Sequence, residues 1–539
     1  MAASAPALAT VEQGSALGAY LRARVAGNGG DFDRARQGYA AALALEPGNM
    51  LLAQRAMEQA IAAGDWTLAL KAARLLEAAG SLSGEGRFLL LGDALRERQW
   101  RQANVQIEAL AKDEVFAFAV PVLRAWAAQG SGKGKPFSFL TTQSGSELSQ
   151  SYIAEHRALL LLATGNAEEG REALASFIEE ETIRTQRLRI LAATLLVRRG
   201  RKAEALALLD GDASSLTAAR ARLAAKRPPD APLTAAAGFS ELLLRMATEL
   251  QGEQVPGLAL SLARLATFAN PKNGAAQLVL AETLAQQGRH EAALAVLGSV
   301  VRDDPFAGDA AERRVGILVA ADRSEEALAQ AKAATVAEPA AVDHWTRLGD
   351  IYGQMTRYAE AAEAYGKALE LAKGGAEGGQ PLWGLWLLRG SALTQAGKWP
   401  EGKAALEEAL KLGPTQAVVL NYLGYSQLER RENLAEAERL IAEASKLQPD
   451  DPAITDSLGW AHYVRGNYPK AIELLERAAR GQPSDAAINE HLGDAYYSAG
   501  RRFEARHAWA AALVYAEGEP AARLRAKIEK GLRPELAAP

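Results

Sequence analysis

Apolar and small residues recur along most of this chain at spacings of three and four, the mark of helices that bury one face. The pattern is sharpest near the end, where one phrase is repeated three times. It reads LNYLGYSQL at 420–428, TDSLGWAHY at 455–463 and NEHLGDAYY at 489–497. The glycines of Leu423-Gly424, Leu458-Gly459 and Leu492-Gly493 stand 35 and then 34 residues apart. In the middle copy, Thr455, Leu458, Gly459 and His462 fall at i, i+3, i+4 and i+7, on one helix face. A second helix follows, carrying Ala471, Leu475 and Ala478 and stopped by Pro483, which lacks an N–H and restricts its neighbour. One helix pair cannot bury both faces, so a repeat of this length predicts pairs stacked on one another.

Extended along the chain, the pattern predicts five regions. Residues 1–15 are expected as a disordered Ala-rich tail, although Ala3-Ser4-Ala5 and Ala7-Leu8-Ala9 also look like what remains near a small-residue cleavage site. Residues 16–210 read as degenerate helix pairs, with an insertion at 130–150 rich in glycine, serine and lysine. Residues 211–237, with Arg227-Pro228-Pro229 and Pro232, read as a short helix and an irregular linker. Residues 238–516 form a regular array, and 517–539 read as a charged capping helix and tail.

Composition narrows the function. Hydrophobic residues make up 49% of 539, enough for a large core, but aromatics are only 6%. A net charge of −4 argues against a general nucleic-acid binder, which needs excess Lys and Arg against phosphates. The absence of cysteine excludes disulfides, thiol nucleophiles and Cys-bound zinc. No run approaches 18 apolar residues, so no transmembrane helix is expected. Residues 130–135 evoke a phosphate loop, but Ala127 stands where its first glycine belongs and Gly134 follows Lys133.

The phrase LNYLGY…DSLGW…EHLGD, with Tyr352, Tyr358, Ala361, Tyr365 and Ala368 in an earlier unit, resembles the tetratricopeptide repeat. The resemblance implies an all-α, right-handed superhelix (an α-solenoid) of about 13 helix pairs. With Gly500-Arg501-Arg502 and Trp509 added, the C-terminal half resembles bacterial envelope tetratricopeptide proteins, which include an adaptor for a carboxyl-terminal processing protease. That likeness implies a periplasmic or outer-membrane-associated location. The N-terminus, if native as written, implies a cytoplasmic one.

In such arrays the first helices line a groove. The residues three before, one after and four after each Leu-Gly glycine share a face distinct from the packing face. They are Asn421, Tyr425 and Leu428; Asp456, Trp460 and Tyr463; and Glu490, Asp494 and Tyr497. One reading is a partner-binding groove. In it the aromatics anchor, Asn421 pairs with an extended backbone, and Asp456, Glu490 and Asp494 favour a basic or mixed apolar partner. The other is that Trp460 and Tyr463 fill the interior and the acids are solvated. No Lys or Arg stands at these positions, so a clamp for a terminal carboxylate is not expected.

No enzyme chemistry is expected. None of the six histidines forms a close metal pair, although His462, His491 and His507 lie in adjacent repeats. Ser457 lacks the G-x-S-x-G context, and Glu179-Glu180-Glu181 and Glu407-Glu408 are charged helix faces. No cofactor is implied. The sequence reads as a protein-binding scaffold or adaptor that presents a partner, for instance to an envelope protease, or alternatively as an assembly factor or chaperone of an envelope complex.

Overall fold

The computed structural model describes residues 15–29, 31–113, 115–141, 146–228, 230, 233–252, 255–376 and 378–538. Among these residues the chain is all-α, with 29 α-helices, four short 3₁₀ turns and no strand. No described helix is long and apolar enough to cross a membrane. By chain order the helices make thirteen pairs, two single helices (Val120–Ser131 and Ser214–Ala224) and a terminal helix, Gly518–Lys530. Contacts divide the chain into two compact units, 1–323 and 324–539.

In the first unit the helices start where short polar side chains meet free amides. Asp31, Asn49, Asp65 and Ser83 each accept a hydrogen bond from the backbone amide three residues on. The core is largely alanine and leucine, including Ala35, Ala42, Ala53, Ala72 and Leu89. Of the expected tail, residues 1–14 lie outside the described residues, and Ser15 caps the first helix, Ala16–Asn28. The expected insertion is partly structured. The helix Val120–Ser131 enters it, a 3₁₀ turn forms at Pro136–Phe139, and Leu140 is buried, while residues 142–145 lie outside the described residues.

Of the segment 211–237, expected as a short helix and an irregular linker, residues 229, 231 and 232 lie outside the described residues, and the described part belongs to the first compact unit. The helix Ser214–Ala224 buries Leu216, Ala219 and Leu223. Asp230 is buried against the Arg187 guanidinium, which also donates to Glu241 through Nε and Nη2 at 3.0 and 2.9 Å. A buried charge needs a buried countercharge, and these bonds hold the segment where the proline-rich sequence suggested a break.

The second unit is the regular one. Its last repeats pair Ala417–Glu429 with Leu434–Leu447, Pro452–Val464 with Tyr468–Gly481, and Ala486–Ser498 with Arg502–Tyr515. Pro452 occupies the first helical turn, and the Asp451 carboxylate accepts from Ala453 and Ile454 amides at 2.8 and 3.0 Å. Within a pair the Leu-Gly glycine is the contact point. A Cβ on Gly459 would lie 2.8 Å from Leu475 Cγ, so only hydrogen permits this approach. Gly424 meets Ile441 and Gly493 meets Trp509 in the same way. Burying Leu475 is worth about 2 kcal/mol, and the repeat makes that contribution again at each pair.

Candidate partner-binding face

The three first helices, 417–429, 452–464 and 486–498, lie side by side and present the predicted positions to one another. Trp460 is sandwiched. The Tyr463 ring stacks on it at 4.3 Å and 13°, and the His491 ring stacks on it at 4.1 Å and 15°. Both oxygens of Asp456 lie 3.0 Å from His491 Nδ1. Burial opposes charge on His491, but Asp456, backed by Asp494 and Glu490, outweighs it and holds the imidazole pKa above its usual value. The Tyr463 hydroxyl accepts from Ser498 Oγ at 3.4 Å, which ties the second helix to the third.

The acidic residues are not a solvated lining. Glu490 accepts two bonds from Arg523, both at 2.8 Å, and one from Lys527 Nζ at 2.6 Å. Asp494 accepts from Lys527 Nζ at 2.8 Å, from Trp509 Nε1 at 2.8 Å and from the Ala538 amide at 2.9 Å. Both Lys527 and Asp494 are 0% exposed. Burial would raise the Glu490 pKa, but Arg523 and Lys527 outweigh it and hold it low. For Asp494 burial prevails over Lys527 and the other donors, and its pKa is raised.

The predicted residues therefore separate into two groups. Asp456, Trp460, Glu490 and Asp494 are buried, with Trp460 only 3% exposed, and their partners come from this chain. Asn421, Tyr425, Tyr463 and Tyr497 are half-buried and reach the surface. The Oδ1 atom of Asn421 is buried with no hydrogen-bond partner among the described residues. The Tyr425 hydroxyl pKa is raised, first by burial and then by Glu429, Asp456 and Glu490. The expectation that three carboxylates await a basic partner is corrected at Glu490 and Asp494, because the chain's own terminal helix supplies the cations.

The expected charged capping helix and tail at 517–539 came with no seat for Arg523 and Lys527. A signal was present: Glu490 and Asp494 are spaced i, i+4, as are Arg523 and Lys527, so the two helices can match charge for charge. The adjacent-repeat histidines do not converge. His462 lies 4.0 Å from Glu438, His491 faces Asp456, and His507 packs on Phe503 at 4.5 Å. Among the described residues no three His, Asp or Glu side chains are placed to hold a metal.

After the terminal helix the chain turns back across this face. Gly531 lies against the Tyr497 ring, and Leu532 packs beside Trp509 and Leu524. Residues 533–535 arch outward, exposed, through a 3₁₀ turn at Pro534–Leu536. Ala538 then enters the apolar cluster of Trp460, Leu428 and Ile441.

A family model described as tetratricopeptide repeat matches residues 244–308, 387–452 and 457–523, and a second such model matches 343–374. A TPR repeat-containing protein of Pseudomonas aeruginosa is 51% identical over 53 residues, 10% of this chain and 9% of that protein's length. Among solved structures the chain is similar to Cut9–Hcn1 of the APC/C (14% identity, 96% of each chain, TM-score 0.38). YrrB, titled a TPR protein with an unusual peptide-binding site, is 21% identical over 32% of this chain and 86% of its own (TM-score 0.26). PilF of Pseudomonas aeruginosa is 18% identical over 41% of this chain and 96% of its own (TM-score 0.33).

Proposed function

Since the chain is an all-α solenoid carrying tetratricopeptide repeats, a fold that generally mediates protein–protein interactions, we propose that it is a protein-binding scaffold or adaptor. Its partner segment docks on the face made by helices 417–429, 452–464 and 486–498. The observation that supports this reading is the chain's own segment 531–538, which rests on Tyr497, Asp494 and Trp460. A face that accepts one stretch of polypeptide has the shape and the hydrogen-bonding groups to accept another. Half-buried Asn421 and Tyr425 belong to the first of these helices, and the Asn421 Oδ1 has no hydrogen-bond partner among the described residues. Presentation of the captured partner to a protease of the bacterial envelope is the adaptor role proposed with it.

The test belongs on the half-buried residues. Replacing Trp460 by alanine removes a side chain buried between two rings and costs about 3–5 kcal/mol, so it would report on folding. Asn421→Ala with Tyr425→Ala instead leaves the Gly424–Ile441 contact in place. Partners captured by the full-length chain from its native cell and identified by mass spectrometry are expected to fall at least about tenfold on the double variant. Undiminished capture by a variant with wild-type helicity refutes the reading.

A further inference from the structure

We propose that residues 531–538 are a detachable limb that competes in cis for the partner-binding face. The partner would dock by displacing it with a segment of like chemistry: a short apolar side chain against Trp460 and a backbone N–H on Asp494. The inference rests on the docking reading above and adds its regulation. It follows from how unequally the two parts of the terminal segment are held.

The helix Gly518–Lys530 is anchored. Lys527 is fully buried between Glu490 and Asp494, Arg523 forms a bidentate pair with Glu490, and Leu524 is buried beside Trp509. Withdrawing this helix would strand two buried carboxylates, so it stays. The limb has no such bond. Among the described residues it meets the face at Gly531, Leu532 and Ala538, and residues 533–535 between them are exposed. Its only described polar contact with the face is the Ala538 amide on Asp494, an oxygen that Lys527 also serves. Asp494 therefore keeps its cation when the limb departs, and the site it vacates remains satisfied and apolar. Segments with few buried contacts open most readily.

Gly531 is the hinge. Its φ of 81° and ψ of 174° lie in a region open essentially to glycine alone. A Cβ there would also run into the Tyr497 ring. The sequence change needed to release the limb without disturbing the anchor is therefore a single substitution at this position.

A fluorescent peptide matching residues 531–538 is titrated, up to millimolar, into the full-length wild-type chain and into the Gly531→Val and Ala538→Glu variants. The second variant places a carboxylate beside Asp494 and leaves the hinge and helix untouched, so it serves if Gly531→Val misfolds. Anisotropy is expected to show at least about tenfold tighter binding to the variants, because the free face is the binding-competent state. Hydrogen exchange at 532–538 is expected to quicken by a similar factor, with exchange in helices 342–373 unchanged. Equal affinity for wild type and variants overturns the limb, as does absence of binding to all three. If capture of the native partner still depends on Asn421 and Tyr425 in that case, the limb alone is rejected and the docking reading stands.

Discussion

The two units solve the same packing problem with different means. In the second, one contact is repeated: a glycine in the first helix admits a large side chain from the second, as at Gly424, Gly459 and Gly493. In the first unit the pattern is degenerate, and single buried charges take over. Arg187 joins Glu241 and Asp230 across more than forty residues of chain. Glu155 lies between Arg184 and Arg245, and the buried Trp126 indole donates to His156 at 3.0 Å. Repeated apolar contacts distribute stability among neighbours, whereas a buried ion pair concentrates it at one position. In the second unit, buried ion pairs lie in the last two repeats and the terminal helix, at Asp456–His491 and at Lys527 with its two carboxylates.

The strongest way to break the comparison is Arg187→Met. It leaves Glu241 and Asp230 buried without their cation and should cost about 3–5 kcal/mol. Hydrogen exchange should quicken across 183–252 and stay unchanged beyond 342; a uniform effect on both units would show that the charges are not local staples. Lys527→Met should cost about 3 kcal/mol, less than Arg187 because Arg523 remains on Glu490, with the effect confined to 486–530. Adding Asp494→Asn should restore part of that loss in denaturant unfolding. Gly459→Ala should cost about 2 kcal/mol by overpacking against Leu475, and it should loosen the two neighbouring pairs as well as its own.

The smallest effect sharpens the contrast through pH. Burial, aided by Arg184 and Arg245, holds the His156 pKa well below the usual value of about 6.5. Its contribution is full above that value and is lost as pH falls through it, because the unfolded chain takes up the proton first. His491 is shifted the other way, held up by Asp456 against its burial. Its contribution is full below about 6.5 and is lost as pH rises through the raised folded value. Local exchange should therefore quicken around 152–162 on acidification and around 456–497 on alkalinisation. His156→Gln and His491→Gln should each remove their own half of the response.

The repeat fold was readable because it is written in local spacing: Leu458, Gly459, Ala471 and Pro483 determine helix faces and ends within one unit. The same rule put Tyr425 and Trp460 on one side of neighbouring first helices, and the two do pack into one apolar cluster. What spacing could not tell was depth. Asp456 and Asp494 look like surface acids until His491 and Lys527 are found against them, 35 and 33 residues away. Arg187 and Glu241 are 54 residues apart with unrelated surroundings, and no periodicity pairs them.

The seat of the terminal helix also carries information about length. Arg523 and Lys527 fit an i, i+4 pair of carboxylates, and the last first helix has one in Glu490 and Asp494. The two preceding repeats offer Asp456 with Trp460, and Asn421 with Tyr425, in the same places. The helix thus has a single matching seat among these three. A repeat duplicated between 452 and 485 would keep its stop signal, whereas one added after 516 would separate the signal from its reader. The closing helix is thus matched in charge and spacing to one of the three repeats, the one that carries both carboxylates.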